Sequence, residues 1–318
     1  MITFTICANN YLFKAQVLAD SIRNTSAIPV YLVLADKQSD AIDYSTLNFD
    51  GIIYPDELDI PNLQWMKENY DVVEFSTAIK SFAFNYFFKK TLVDHILFFD
   101  PDIKVYSPLQ NLAAYWNNAS ILLTPHILTP IPFDDKFPGE NLFLNHGTYN
   151  LGFLGLKRGT TADSLLNWWS ERMKEHCRIS LVYGFFVDQL WFNLVPVLFG
   201  DTAIIELPGC NVAYWNLHER HITFNDGQYL VNNQPLFFYH FSDLDINLTN
   251  ICSRPKYRYS FDEKPGLKNF YHDYLDHLKL FEPARFQSIQ YFEGKYPIVS
   301  EKPPLVKRIV KKAKRFIK

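Results

Sequence analysis

The chain has 318 residues and a mass of 37.3 kDa, enough for one large α/β core or two modest ones. Hydrophobic residues make up 48% and charged residues 20%, which excludes wholesale disorder; only 12 glycines and no visible repeat exclude collagen-like and solenoid chains. The net charge of −3 hides a basic end: residues 303–318 hold seven Lys and Arg and no acid, so the acidic remainder excludes a nucleic-acid-binding body.

Residues 2–7 (ITFTIC) form a β-rich run, and Leu12, Ala15, Leu18, Ala19 and Ile22 then recur at helical spacing. Residues 29–35 (PVYLVLA) read as a buried strand and 51–54 as a third, short one. Phe75, Ala78, Ile79, Phe82, Ala83, Tyr86 and Phe87 make a helical stripe leading to a strand at 95–99 (HILFF). Residues 120–124 and 148–156 (TYNLGFLGL) are further strands, separated by a proline-broken loop over 125–138. A helix is expected at 162–176, a short one at 187–194, a strand at 236–240 (LFFYH) and a last helix at 266–281. Near-continuous apolar strands alternating with helices predict an α/β, Rossmann-like fold whose largely parallel sheet is covered on both faces. The expected division is a catalytic domain over 1–250, a C-terminal helical extension over 251–302 and a basic tail over 303–318.

Met1 leads straight into the first strand with no basic n-region, and no run approaches 18 apolar residues, so neither a secretory signal nor a membrane span is expected. Cys7, Cys177, Cys210 and Cys252 stand far apart and read as reduced core residues, not a zinc site. In the tail, Leu305, Val306, Ile309, Val310, Ala313, Phe316 and Ile317 follow helical spacing, with the cations between them. Such a basic amphipathic helix docks on an anionic membrane surface. The expected location is cytoplasmic, peripheral on the inner face of the plasma membrane.

The sharpest chemical feature is Asp100-Pro101-Asp102, directly after an apolar strand. Residues i and i+2 of an extended chain project to one side, so two carboxylates meet outside the carboxyl end of a parallel strand, where α/β sheets bind ligands. Adjacent carboxylates repel unless a cation sits between them, and Mn²⁺ or Mg²⁺ suits that oxygen pair. The plain alternative is a polar turn, since Asp and Pro both favour turns. Lys80 precedes this strand as a phosphate contact or as part of a solvated helix face. Ala8-Asn9-Asn10-Tyr11 leaves the first strand, where Asn amides and a Tyr ring can read a base and ribose.

The order of these features resembles a GT-A fold glycosyltransferase, most of all the family 8 pattern of bacterial polysaccharide and lipopolysaccharide transferases. The resemblance covers about residues 2–245. It is carried by Phe4–Tyr11 (FTICANNY), Lys80, Phe98-Phe99-Asp100-Pro101-Asp102, Tyr149-Asn150-Leu151-Gly152-Phe153, Asp188-Gln189-Leu190-Trp191-Phe192-Asn193 and Tyr239-His240-Phe241. It implies a nucleotide-sugar donor, a UDP-hexose, held through its diphosphate on a divalent metal, with retention at the anomeric carbon. Asp100, Asp102 and His240 would ligate the metal. Asp188 would bind sugar hydroxyls, and Gln189 would turn its carbonyl towards the oxocarbenium-like centre. Asn150 would line the donor pocket, and Gly152 would permit close backbone approach.

The chain departs from the family in two places. Ala8-Asn9-Asn10 replaces the usual Thr/Asp residues after strand one. Phe241-Ser242-Asp243 follows His240 where a His-x-Gly-x-x-Lys motif is usual, so Lys256, with Arg254 and Arg258, is the candidate cation for the leaving diphosphate. His126, Trp215 and Asn216 are candidates to face a glycan or lipid-linked acceptor. Two other readings stand beside this one: a sugar nucleotidyltransferase, and a nucleotide-sugar-binding scaffold at the membrane without transfer activity. The first usually carries a Gly-rich basic loop after strand one, which Ala8-Asn9-Asn10-Tyr11 is not.

Overall fold

A computed structural model describes residues 1–289, so the tail expected over 303–318 and the end of the extension, 290–302, lie outside the described residues. The chain opens with β1 (Ile2–Cys7), α1 (Leu12–Ser26), β2 (Val30–Leu34) and β3 (Gly51–Ile53). Three helices, α2 (Leu63–Asn69), α3 (Val72–Ala78) and α4 (Lys80–Lys90), lead into β4 (His95–Phe99) and β5 (Ile103–Val105). Next come β6 (Ile121–Pro125), α5 (Asn141–His146), β7 (Tyr149–Lys157) and α6 (Thr160–His176). A small hairpin of β8 (Ile179–Ser180) and β9 (Phe185–Phe186) is followed by α7 (Val195–Leu198) and β10 (Thr202–Ile204). An antiparallel ribbon of β11 (Ile222–Asn225), β12 (Gln228–Val231) and β13 (Gln234–Pro235) precedes β14 (Phe238–His240). α8 (Pro265–Lys279) and α9 (Pro283–Gln287) close the described part.

Seven strands form the central sheet in the order β10-β6-β7-β4-β1-β2-β3. All neighbours run parallel except β7, which is antiparallel to both β4 and β6. The expected α/β, Rossmann-like architecture is therefore present, with one reversed strand in its middle. Alternation along β4 feeds both faces: Ile96 and Phe98 join one core, Leu97 and Phe99 the other. On the first face Phe4 meets Phe84, Phe87 and Phe98 with ring centroids 4.8–5.2 Å apart. Each such buried ring contributes about 1.5–3 kcal/mol relative to exposure.

The helical stripe through Phe75 and Phe87 is divided into α3 and α4 at Ile79. Asp71 starts α3 with a capping box, its side chain accepting from Val73 and Glu74 N–H while Glu74 accepts from Asp71 N–H. The helix expected at 187–194 begins only at Trp191, as a 3₁₀ turn before α7. The short strands β3 and β14 lie within the expected runs 51–54 and 236–240, whereas β5, β8–β10 and β11–β13 were not foreseen, since over two to four residues periodicity alone does not single out a strand. α8 packs against α1, and its Phe270, Tyr271 and Tyr274 join Tyr239 and Phe241 in one core. All four cysteines are free and buried. Among the described residues no helix is long and apolar enough to cross a membrane.

Candidate active site

β4 delivers the chain to Asp100, whose N–H bonds Gly152 O on β7 at 2.8 Å. The chain then turns, Ile103 N–H bonding Asp100 O at 3.1 Å, and enters β5. β5 pairs antiparallel with β14 in a register that sets His240 opposite Ile103, and Phe241 N–H bonds Asp102 O at 2.9 Å. That pairing carries His240 across 138 residues of sequence to the acid pair. His240 Nε2 lies 3.0 Å from Asp102 Oδ1 and 3.8 Å from Asp100 Oδ2.

One ligand atom from each of Asp100, Asp102 and His240 falls within 4.8 Å of the others. Two hard carboxylate oxygens and one imidazole nitrogen form a donor set that fits a divalent ion such as Mn²⁺. The ring is also oriented for it. His240 Nδ1 lies 3.2 Å from Asn150 Oδ1, which leaves Nε2 facing the acids. Burial works against the imidazolium, yet the charge and hydrogen bond of Asp102, aided by Asp100, hold the His240 pKa above its ordinary value. Burial likewise opposes the Asp102 carboxylate, but His240 and then Lys14 outweigh it and hold its pKa far below the usual range. Removal from water pushes Asp100 up to about 6, reinforced by Asp102 and Asp188 and resisted by Lys80 and His240. The 35% of the Asp100 side chain that solvent still reaches tempers that push.

These residues open into a cleft of about 500 Å³. Of the residues singled out in the sequence, Tyr11, Lys80, Asp100, Asp102, His126, Asn150, Gly152, Asp188, Gln189, Trp215 and His240 all line it. Arg254 lines it too, with its Nε 2.8 Å from Asp243 Oδ2. A second cavity, of about 450 Å³, is lined by Asp36, Tyr54 and Phe75 among others and lacks the Asp-Asp-His cluster.

Lys80 is neither solvated nor free. It is buried at the start of α4, with Nζ 3.1 Å from Asp188 Oδ2, donating to Leu151 O at 3.1 Å and lying 4.3 Å from the Phe98 ring centre. Burial raises the Asp188 pKa against the opposing pull of Lys80. Gln189 is held at both ends: Nε2 donates to His146 O at 2.9 Å, and Oε1 accepts from Leu151 N–H at 3.2 Å. Its carbonyl oxygen also lies 3.4 Å from Asn150 Nδ2. His126 stacks on Phe143 and meets the edge of Trp215, which in turn lies edge-on to His240.

Six of the residues expected at the site do not line the cleft. Asn9 is buried and turned away from the cleft, its amide donating to Asp36 Oδ2 and Lys37 O at 2.7 Å and its Oδ1 accepting from Tyr44. Ala8 is buried and Asn10 half-buried, and neither lines the cleft. Asn216 spends its side chain inside the protein, accepting from Ala213 N–H and donating to His126 O and Asn211 O, so it braces loops. Lys256 is exposed outside the cleft, at φ 58°. Arg258 is also committed elsewhere, gripping Asp134 with two nitrogens at 2.7 and 2.9 Å. Gly152 does make room, but for the His240 ring.

Sequence reasoning missed Lys14. It lies one turn beyond Tyr11 on α1, and its Nζ stands 4.0 Å from Asp102 Oδ2 and 4.5 Å from the Tyr11 ring centre. The i, i+3 spacing from Tyr11 was the available signal.

No family model matches this chain. It is 24% identical to the uncharacterized protein YfnF of Bacillus subtilis (strain 168) over 249 residues, covering 76% of this chain and 81% of that protein. It is 23% identical to the uncharacterized protein YfnD of the same organism over 286 residues, covering 86% and 88%. Among solved structures, it is similar to galactosyltransferase LgtC in complex with donor and acceptor sugar analogues, with a TM-score of 0.46, 13% identity and coverage of 91% of this chain and 98% of that one. Mouse xyloside xylosyltransferase 1 gives a TM-score of 0.45 and 14% identity over 75% of this chain and 96% of that one.

Proposed function

We propose that this chain is a glycosyltransferase that moves a hexose from a nucleotide-sugar, a UDP-sugar, to a glycan or lipid-linked acceptor in bacterial surface polysaccharide synthesis. The observation that carries the reading is the meeting of Asp100, Asp102 and His240 in the cleft that also holds the Lys80–Asp188 pair and Gln189. Two acids and a histidine at the carboxyl end of a parallel strand suit a metal-held diphosphate. A divalent cation bound there supplies charge neutralisation for a departing diphosphate.

In this reading the chain's own residues orient and enclose. Asp188, fixed by Lys80, accepts hydrogen bonds from the hydroxyls of the transferred sugar. Gln189 presents its carbonyl dipole to the positive charge that develops at the anomeric carbon. His126 and Trp215 form the aromatic wall where an acceptor ring stacks. Retention of anomeric configuration belongs to the same proposal. So does the division into a domain over 1–250 and an extension, with the tail over 303–318 bringing the enzyme to the cytoplasmic face of an anionic membrane.

The test is a thermal-shift panel of UDP, GDP, CMP and dTDP, each with Mn²⁺ or with EDTA. A ligand at 100 times its Kd adds about 2.7 kcal/mol, which in a chain of this size is a rise of several degrees. A rise with UDP that EDTA abolishes, followed by hexose transfer from the matching donor, is the expected outcome. No rise with any nucleotide in folded protein would remove the donor site from this cleft. Nucleotide binding without turnover across donors and acceptors would favour the scaffold reading.

A further inference from the structure

We propose that Lys14 couples metal and diphosphate binding: its ammonium takes the charge of a nucleoside diphosphate at the Asp100–Asp102–His240 site. The inference rests on the glycosyl-transfer reading and adds to it a residue that the sequence did not single out. Lys14 stands in the first turn of α1 with its side chain 18% exposed. Its Nζ lies 4.5 Å from the ring centre of Tyr11, which lines the cleft, and 4.0 Å from Asp102 Oδ2.

The neighbouring cations are engaged. Lys80 is buried against Asp188 and Leu151 O, and Arg254 holds Asp243. Among the described residues the ion-pair partner of Lys14 is Asp102, itself a member of the cluster that fits a divalent ion. A divalent ion held by Asp102 would leave its charge and the Lys14 ammonium as like-charged neighbours, an arrangement that costs free energy. An anion touching both relieves the repulsion. Asp100 and Asp102 together balance a divalent ion, so Lys14 remains as surplus positive charge. That surplus favours a diphosphate over a monophosphate. Coupling of this kind is reciprocal, since each ligand raises affinity for the other by the same factor.

Calorimetric titrations of UDP and UMP, with and without Mn²⁺, into wild type, Lys14→Gln and Lys14→Arg test this. The factor by which Mn²⁺ tightens UDP is expected to shrink about tenfold in Lys14→Gln, the scale of one charge-assisted hydrogen bond, and to persist in Lys14→Arg. UMP is expected to change far less. Mn²⁺ alone should bind Lys14→Gln at least as tightly as wild type, because a repelling charge is gone. An unchanged coupling factor in Lys14→Gln overturns the inference and leaves the donor site standing. Weaker binding of Mn²⁺ alone to Lys14→Gln also overturns it, by making Lys14 a support of the site's shape. Wild type that takes no nucleotide with Mn²⁺ removes the glycosyl-transfer reading and this inference together, a result distinct from the other two.

Discussion

Gly152 lies directly against His240. A Cβ built on Gly152 would stand 2.6 Å from His240 Cε1, 2.8 Å from its Nδ1 and 2.8 Å from Asn150 Oδ1. The ring has little room to retreat, since His240 is buried and Trp215 lies edge-on to it at 5.3 Å. Gly152→Ala is therefore expected to cost about 1–3 kcal/mol of stability and to displace the imidazole. Mn²⁺ affinity should fall at least tenfold with it. Urea unfolding and metal titration of the same sample check both, and intact affinity would show that the ring accommodates a methyl group.

Asn150 holds His240 Nδ1 at 3.2 Å and thereby fixes which nitrogen faces the acids. Removing such a partner typically lowers metal affinity 10–100-fold. Asn150→Ala should show that loss, while Asn150→Asp, which keeps an acceptor for Nδ1–H, should retain most of it. Electron paramagnetic resonance of free Mn²⁺ measures the difference. Equal affinities in wild type and Asn150→Ala would refute the orienting role.

Lys80 and Asp188 form a pair whose side chains are 5% and 2% exposed. Removing one partner leaves a charge without its counterpart in a dry site, so Lys80→Met is expected to lose about 3–5 kcal/mol. Lys80→Met/Asp188→Leu, which removes both charges, should lose clearly less than the two single losses added together. A double-mutant cycle by urea unfolding reads this, and strict additivity would mean the pair is not coupled.

His126 gives stability a pH dependence. Burial pushes its pKa from the ordinary 6.5 down to about 4, with the Thr148 carbonyl resisting and His240 adding to the push. The unfolded chain takes up this proton below about pH 6.5 and the folded chain only near pH 4, so between those values the unfolded state binds more protons. Stability contributed by the neutral ring is thus full above pH 6.5 and declines as pH falls towards 4, by an amount on the order of 3 kcal/mol. His126→Phe should lose less stability than wild type between pH 7 and pH 4.5. Parallel losses in urea titrations would place the sensitivity elsewhere.

The features legible before folding were those that local periodicity encodes. Apolar runs at 2–7, 29–35 and 95–99, separated by a 3.6-residue stripe, predicted the parallel half of the sheet, and β1, β2 and β4 occupy those positions. Asp100 and Asp102 followed from standing at a strand's carboxyl end. The reversal of β7 was not legible, because a buried strand reads the same in either direction.

Side-chain direction was decided by partners that arrive from far along the chain. Nothing in Ala8-Asn9-Asn10-Tyr11 reveals that Asn9 turns inward; Asp36, 27 residues on, draws its amide there because a buried amide must find acceptors. Asn150 and His240 are 90 residues apart, and the β4–β7 and β5–β14 pairings together bring them within hydrogen-bond reach. The same pairings turn Gly152 from a general allowance for close approach into the specific space that one imidazole fills. Sequence thus determined the sheet's parallel frame and the acids at its edge, since both rest on repeating local patterns of burial. Tertiary structure alone decided which polar atoms face the cleft, since hydrogen-bond satisfaction depends on neighbours that local pattern does not contain.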